Sequence, residues 1–494
     1  MNIALISFPM IERNYSRKER SQSRGEIGNH LGIGYIGAVC REAGHNVTLY
    51  DCPNEDISFP RLVELINANT YDVIGISLYY PTRHLLGRFL SRLNSRDAFI
   101  VLGGHYVSTV PEEILFNFQR VDCVVIGEGE NAIVQLLSAL SENKRDFSNI
   151  PGICYRNGTE IVQTSKAVII KDLDQIPEPI RNLVPNQKVT PVIATRGCYK
   201  RCAFCDVRSF YEKCEGPVYR WRSPENVANE IIKLSKLGLK YFDIIDDNFL
   251  GVSRVKGWID TFCSVLEKAK VEVELEINTR VDNLCYEDLV KLKKVGLVEV
   301  GLGIENGNEH VLKRFNKKAT VEQAKQAVQL LRKLDLRIGS GFIFFEPDTI
   351  LSDILVNIRF LRKIDYFSFT TAMPICLFRP LVLVPGTPLY MRYKEQNRLS
   401  NKYPGYSFSD EKTQILFNLL ENIKQRFDTI SHTIISMYPQ HSVERTRLLE
   451  ELIEIEFCFI ESVIDEIERG KKDTFYSMDA LHENLDKFER TIGH

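Results

Sequence analysis

Three cysteines fall within eight residues in "TRGCYKRCAFCDV", at Cys198, Cys202 and Cys205. Thiolates at that density are soft ligands for a metal. A closed tetrahedral site takes four ligands, usually as two separated pairs. The chain has no second C-x-x-C pair, and the loop is too short and glycine-poor for a zinc ribbon. Two plainer readings stand beside a catalytic one: a structural zinc with Cys214 as fourth ligand at unusual spacing, and three unrelated buried thiols. The spacing C-x3-C-x2-C suits better a [4Fe–4S] cluster held at three irons by thiolates. The fourth iron then stays open to substrate or cofactor, as in catalytic rather than structural metal sites. The other cysteines, Cys40, Cys52, Cys123, Cys154, Cys263, Cys285, Cys376 and Cys458, read as small buried apolar residues.

The elements that must position this loop are legible from periodicity. "NIALISF", "NVTLYD", "DVIGISLYY", "AFIVLGG" and "DCVVIGEGE" are β-branched runs that end in turn residues. Helical patterns lie between them, among them "LGIGYIGAVCREAGH", closed by Gly44. Such alternation predicts a parallel, doubly wound α/β sheet over 1–145, with ligands beyond the carboxyl ends of its strands. Residues 146–187, rich in Pro and Asp at "DLDQIPEPIRNLVP", read as a linker. A second series follows over 188–390: "TPVIAT", "KYFDIID", "VEVELEIN", "LVEVGLG", "LRIGSGFIFF", and a last strand at "FTTAMPI" or "LVLVPG". One of its helices starts at Pro224, with Ser223 as N-cap. Six βα units make a partial (β/α)6 barrel, two short of closure. Residues 391–494 read as helical. The cysteine loop follows the first strand of this series, on the face where barrel enzymes carry their chemistry.

Composition narrows the function. Of 494 residues, 44% are hydrophobic and 26% charged, with a net charge of −2, so no field steers the chain to nucleic acid. No apolar run reaches the roughly 18 residues of a membrane span, and no signal peptide is evident. A cytoplasmic location is expected, where cysteines stay reduced. "GIGYIG" (Gly32 to Gly37) matches the dinucleotide fingerprint letter for letter, but it lies far beyond the strand that ends near Phe8. That motif belongs in the turn directly after the strand. Here the glycines are expected to thin a helix face for packing. The loop from Pro9 to Asn29 carries Arg13, Arg17, Lys18, Arg20 and Arg24. It reads as a solvated loop, or as a lid over an anionic group.

C-x3-C-x2-C with Phe204 resembles the signature of the radical SAM superfamily. The resemblance implies that the open iron binds S-adenosylmethionine (SAM) and that the reduced cluster cleaves it to a 5′-deoxyadenosyl radical. "GLGIENG" resembles the family's strand-end motif, which implies SAM contacts at Gly303 and at Glu305, the latter placed to bond the ribose. "DIIDDNF" puts Asp246, Asp247 and Asn248 where the family meets the methionine amine, and "EINTR" puts Asn278 and Arg280 on the same rim. The first domain followed by this barrel resembles the cobalamin-binding branch of that superfamily. The strand ends of the first domain, at "DVIGIS", "GGHYVS" and "VVIGEGE", then imply cobalamin contacts at Ser77, Gly103, Gly104, His105, Gly127, Glu128 and Gly129. No D-x-H-x-x-G motif occurs, so His105 is expected at the corrin edge rather than on cobalt.

The implied activity is a cobalamin-dependent radical SAM methyltransferase acting on an unactivated carbon of a small molecule. It would draw electrons from an external reductant such as flavodoxin or ferredoxin, with no nucleic-acid or membrane partner. One alternative is a radical SAM dehydratase, epimerase or rearrangement enzyme that keeps the first domain without methyl transfer. Another is methylthiotransfer, which needs three further N-terminal cysteines at a spacing that Cys40, Cys52 and Cys123 do not have. A non-catalytic cobalamin or redox sensor is the third. Tyr79, Tyr80, Phe342, Phe344 and Glu346 are candidate substrate liners, or core.

Overall fold

Five parallel strands form the first sheet: β1 (Asn2–Ser7), β2 (Asn46–Asp51), β3 (Val73–Ser77), β4 (Phe99–Gly103) and β5 (Cys123–Val125). Their order is β2-β1-β3-β4-β5. Alternation along β1 sends Ala4 and Ile6 into one apolar core and Ile3 and Leu5 into the other, so both faces are covered. The order changes direction between β1 and β3, which makes their carboxyl ends the crevice of the fold. This computed structural model describes residues 1–9, 29–94, 97–185, 187–339, 341–366, 379–439, 442–471 and 476–492. The basic residues of the Pro9 to Asn29 loop lie outside them.

The stretch read as a linker contributes more than a connection. β6 (Ile153–Asn157) and β7 (Glu160–Gln163) form a hairpin that extends the first sheet antiparallel from β5. Its two-residue turn is Gly158-Thr159, with Gly158 at φ +60° in the first turn position, where such hairpins favour glycine.

The chain divides into two compact units. The first is Met1–Ile277, Lys291–Leu297 and Val384–Tyr390; the second is Asn278–Val290, Val298–Leu383 and Met391–His494. The first unit therefore joins the sheet above to the start of the second α/β series. There "TPVIAT" is broken in two: β8 (Thr190–Val192) and β9 (Thr195–Arg196). β9 pairs antiparallel with β10 (Arg220–Trp221), whereas β8 lies parallel to β11 (Tyr241–Ile244) and β11 to β12 (Glu274–Arg280). Ser223 Oγ accepts from the Asn226 N–H at 3.2 Å and caps the helix Pro224–Ser235. In the second unit β13 (Leu297–Gly303) runs parallel to β14 (Arg337–Gly339). "FTTAMPI" lies outside the described residues. "LVLVPG" forms no strand; Pro380, just before it, makes a single bridge to Phe345. The C-terminal region is helical at Glu411–Met437, Val443–Glu468 and Tyr476–Ile492. No described helix is long and apolar enough to cross a membrane.

The glycines of "GIGYIG" do thin a face of the helix Leu31–Glu42. A Cβ on Gly34 would stand 2.5 Å from the Ile180 carbonyl oxygen, and one on Gly37 would stand 3.1 Å from Ile180 Cδ1 and from Leu49 Cδ2. Gly34→Ala should therefore destabilise the first unit by about 1–3 kcal/mol, read as a lower urea midpoint. Asp51 ends β2 and accepts the His30 N–H at 2.7 Å, while its second oxygen is buried without a partner. Burial pushes its carboxyl from 3.8 up to about 6. A carboxyl raised in the folded state stabilises below its unfolded pKa, and that contribution is lost as pH rises through 6. Asp51→Asn should remove about 3 kcal/mol of stability loss between pH 4 and 7, measured by urea unfolding at each pH.

Candidate cofactor sites

The cysteine loop hangs between β9 and β10, whose register sets Arg196 opposite Arg220. Gly197 turns the chain out of β9 at φ +82°, where a Cβ would lie 1.9 Å from the Val218 carbonyl oxygen, so only glycine fits. The Cys205 N–H closes a turn on the Cys202 carbonyl at 3.2 Å, just before the helix Asp206–Tyr211. Cys198, Cys202 and Cys205 are unbridged and half-buried, whereas Cys40, Cys52, Cys123, Cys154, Cys214 and Cys263 are buried. Cys285 is half-buried and Cys458 exposed, contrary to the expectation for both; Cys458 sits on the helix Val443–Glu468, its sulfur 3.9 Å from Arg362 Nη2. Cys376 lies outside the described residues.

Cys198 and Cys205 edge an apolar cluster of Ala167, Ile169, Val207, Phe210, Tyr211 and Cys214. Burial holds the Cys205 thiol far above its ordinary range, so it stays protonated unless a metal displaces the proton. Among the described residues no three His, Cys, Asp or Glu side chains converge on one metal ion. A zinc site would demand that convergence, but a cluster takes each thiolate on a different iron. Three accessible thiols with an apolar flank fit a cluster. Cys214 is a core residue, its sulfur seated over Gly127, where a Cβ would come within 2.2 Å.

A cavity of about 510 Å³ opens at the carboxyl ends of β1, β3, β4 and β5. All seven residues expected to meet cobalamin line it: Ser77, Gly103, Gly104, His105, Gly127, Glu128 and Gly129. Its floor is apolar, with Leu5, Ile33, Ile36, Val101 and Ile133. Arg196, Phe210, Tyr211, Asp246 and Asp247 form the opposite wall. Asp246 thus lies with the corrin residues. It accepts the Ala194 N–H at 2.9 Å, and burial pushes its carboxyl up to about 7. At Gly103 an added Cβ meets no protein atom within 4 Å, so this bare backbone faces space for an occupant. Size, apolar floor and glycine rim fit a large flat cofactor.

Two imidazoles line the cavity. His105 Nδ1 is 3.1 Å from Asp206 Oδ2, and its ring stacks on Phe210 at 4.0 Å, tying the first sheet's rim to the helix after the cysteines. His30 was not foreseen. It caps the helix Leu31–Glu42, with Nδ1 accepting the Ile33 N–H at 3.2 Å and Nε2 2.6 Å from Tyr79 Oη. Burial pushes its pKa down to about 4, so the ring is neutral. With Nδ1 accepting, the hydrogen sits on Nε2 and points to Tyr79. The sequence carried one signal for it, a polar side chain directly before the first periodic apolar residue.

Glu128 and Glu130 are buried on the same rim. Arg220 grips Glu128 with Nη2–Oε1 at 2.7 Å and Nη1–Oε2 at 3.0 Å. Arg196 spans both acids, with Nη1 3.0 Å from Glu128 Oε1 and Nη2 2.7 Å from Glu130 Oε1.

In the second unit, Arg280, Gly303 and Glu305 gather around Lys317, a residue without any motif. Lys317 Nζ is 2.6 Å from Glu305 Oε1, and its carbonyl accepts from Arg280 Nη2 at 2.5 Å. A Cβ on Gly303 would stand 2.8 Å from that Nζ. Glu305 holds φ +68°, rare for a residue with a side chain. Asn278 is half-buried on the same strand end. Glu346 is not free to line a substrate site, because Arg314 and Tyr393 Oη bind its carboxylate. Phe342 and Phe344 pack on each other at 5.1 Å in the core.

Comparison with known proteins agrees with this layout. A model of the radical SAM superfamily matches residues 192–361, and a model of the B12 binding domain matches residues 21–137. The chain is 28% identical over 382 residues to an uncharacterized methyltransferase of Pyrococcus horikoshii, covering 74% of this chain and 78% of that protein. It is 29% identical over 318 residues to the anaerobic magnesium-protoporphyrin IX monomethyl ester cyclase of Synechocystis, but spans only 62% of that protein's length. The fold matches the cobalamin-dependent S-adenosylmethionine radical enzyme OxsB with a TM-score of 0.71 at 17% identity, over 99% of this chain and 75% of that one. With a B12-binding sheet and a radical SAM domain in one polypeptide, the chain belongs to the cobalamin-binding radical SAM family.

Proposed function

We propose that the protein is a cobalamin-dependent radical SAM methyltransferase that alkylates an unactivated carbon of a small molecule. The observation that carries this reading is the shared construction of the cysteine loop and the cavity, which the first unit builds as one piece. When bound, SAM on the reduced cluster supplies a 5′-deoxyadenosyl radical and cobalamin supplies a methyl group.

The chain's own part is holding, orienting and excluding water. Cys198, Cys202 and Cys205 hold the cluster and leave one iron open. Phe204 shields the loop, and Asn278, Arg280, Gly303 and Glu305 serve SAM, with Lys317 fixing the Glu305 carboxylate. Gly103 lets the corrin lie against bare backbone, with Ser77, Gly104 and Gly127 beside it on the rim. His30 cannot offer cobalt a lone pair, because its Nε2 carries hydrogen. His105, stacked on Phe210, bounds the corrin edge. The electron donor is a low-potential carrier such as flavodoxin or ferredoxin. A second reading keeps both cofactors but ends in cyclisation or another radical rearrangement. It draws support from the likeness to the cyclase.

Replacing Cys198, Cys202 and Cys205 together by alanine should remove bound iron and abolish SAM cleavage while the first sheet stays folded; retained iron would refute the ligand assignment. Cys214→Ala should keep full iron content and lose about 1–3 kcal/mol of stability, since its sulfur only packs. Turnover of the holoenzyme with SAM should yield S-adenosylhomocysteine alongside 5′-deoxyadenosine. 5′-Deoxyadenosine alone would favour the second reading.

A further inference from the structure

β9 and β10 are two residues each, and everything between them is the cysteine loop and its helix. Their pairing sets Arg196 directly across from Arg220. Like charges so placed repel, and both side chains are at least nine-tenths buried. The pair is stable only because Glu128 and Glu130 meet it, two charges against two. Arg220 makes a two-pronged grip on Glu128, and Arg196 bridges Glu128 to Glu130. Tyr35 and Tyr211 lie against the two guanidinium groups, at 5.0 and 5.4 Å. Glu128 precedes and Glu130 begins the helix Glu130–Ser141 at the carboxyl end of β5. Glu128, Glu130 and Arg196 also line the cavity.

We propose that Glu128, Glu130, Arg196 and Arg220 are positioning residues, a clamp that locks both ends of the cysteine loop onto the cobalamin rim and so fixes the separation of cluster and cobalt. This rests on the cofactor reading above. Neutral hydrogen bonds would hold the loop less stiffly, because an arginine fork fixes the carboxylate in plane as well as in distance. Both Glu128 oxygens are held by arginine, while the residue still lines the cavity.

The test uses the full chain, reconstituted with iron and sulfide, loaded with hydroxocobalamin and partly reduced so that the cluster and cob(II)alamin are both paramagnetic. Pulsed EPR of the wild type should give one narrow cluster–cobalt distance. In Glu130→Gln and Arg196→Lys that distribution should broaden or shift, and the Kd for hydroxocobalamin should rise about tenfold. Iron content and far-ultraviolet circular dichroism should stay at wild-type values. Lysine keeps the charge without the fork, so Arg196→Lys should fall between wild type and Arg196→Met. If Arg196→Met fails to fold, Glu130→Gln decides, since it removes one negative charge while keeping an acceptor oxygen for Arg196. An unchanged distance distribution in natively folded Glu130→Gln and Arg196→Lys would overturn the clamp while leaving both cofactors in place. A wild type with a cluster signal but no bound cobalamin would overturn the cofactor reading and the clamp with it.

Discussion

Two arginines cannot face each other in a dry interior unless acids meet them. That constraint organises the first unit. Arg196 and Arg220 are cross-strand partners, and the acids that neutralise them stand on the rim of a different sheet. Removing one partner of such a pair leaves a buried charge unmatched, at a cost of about 3–5 kcal/mol. The loop carrying Cys198, Cys202 and Cys205 is thereby bound to one place on the first sheet. His105 adds a second tie through Asp206, and Gly197 pinches the loop at its base.

The first sheet is built to leave its carboxyl edge bare. Parallel strands with buried faces put their only free backbone groups at the ends, and the reversal of order between β1 and β3 opens a gap there. Glycines keep that edge low at Gly103 and Gly104, while apolar side chains from both flanking helices line the floor. His30 and Tyr79 face each other across the reversal, one after each strand. The imidazole serves as helix cap through Nδ1 and as partner to the phenol through Nε2.

In the second unit one lysine does the work of a hub. Lys317 neutralises Glu305, offers its carbonyl to Arg280 and fills the space that a side chain on Gly303 would need. The positive φ of Glu305 is tolerated because the ion pair and the neighbouring bridge to Phe342 hold the backbone there.

Much of this was legible in the chain alone. Period-two and period-3.6 patterns located the five parallel strands, the second α/β series and the helical end, because burial of one face is a local, repeated demand. The cysteine spacing and the strand-end motifs are local too, so cluster ligands and cofactor candidates could be named by number. The hairpin Ile153–Gln163 was also written locally, in its Gly158-Thr159 turn, beneath a composition that looked like a linker. Other features have no local trace. Nothing near Glu128 in the sequence announces Arg196 and Arg220, which stand 68 and 92 residues away. Nothing near Glu305 marks Lys317 as its counter-ion, and nothing marks Cys214 as the filler beneath Gly127. Charge pairing and close packing are decided by which surfaces meet in space. Sequence periodicity says which face of an element is buried, but only the folded chain says against what.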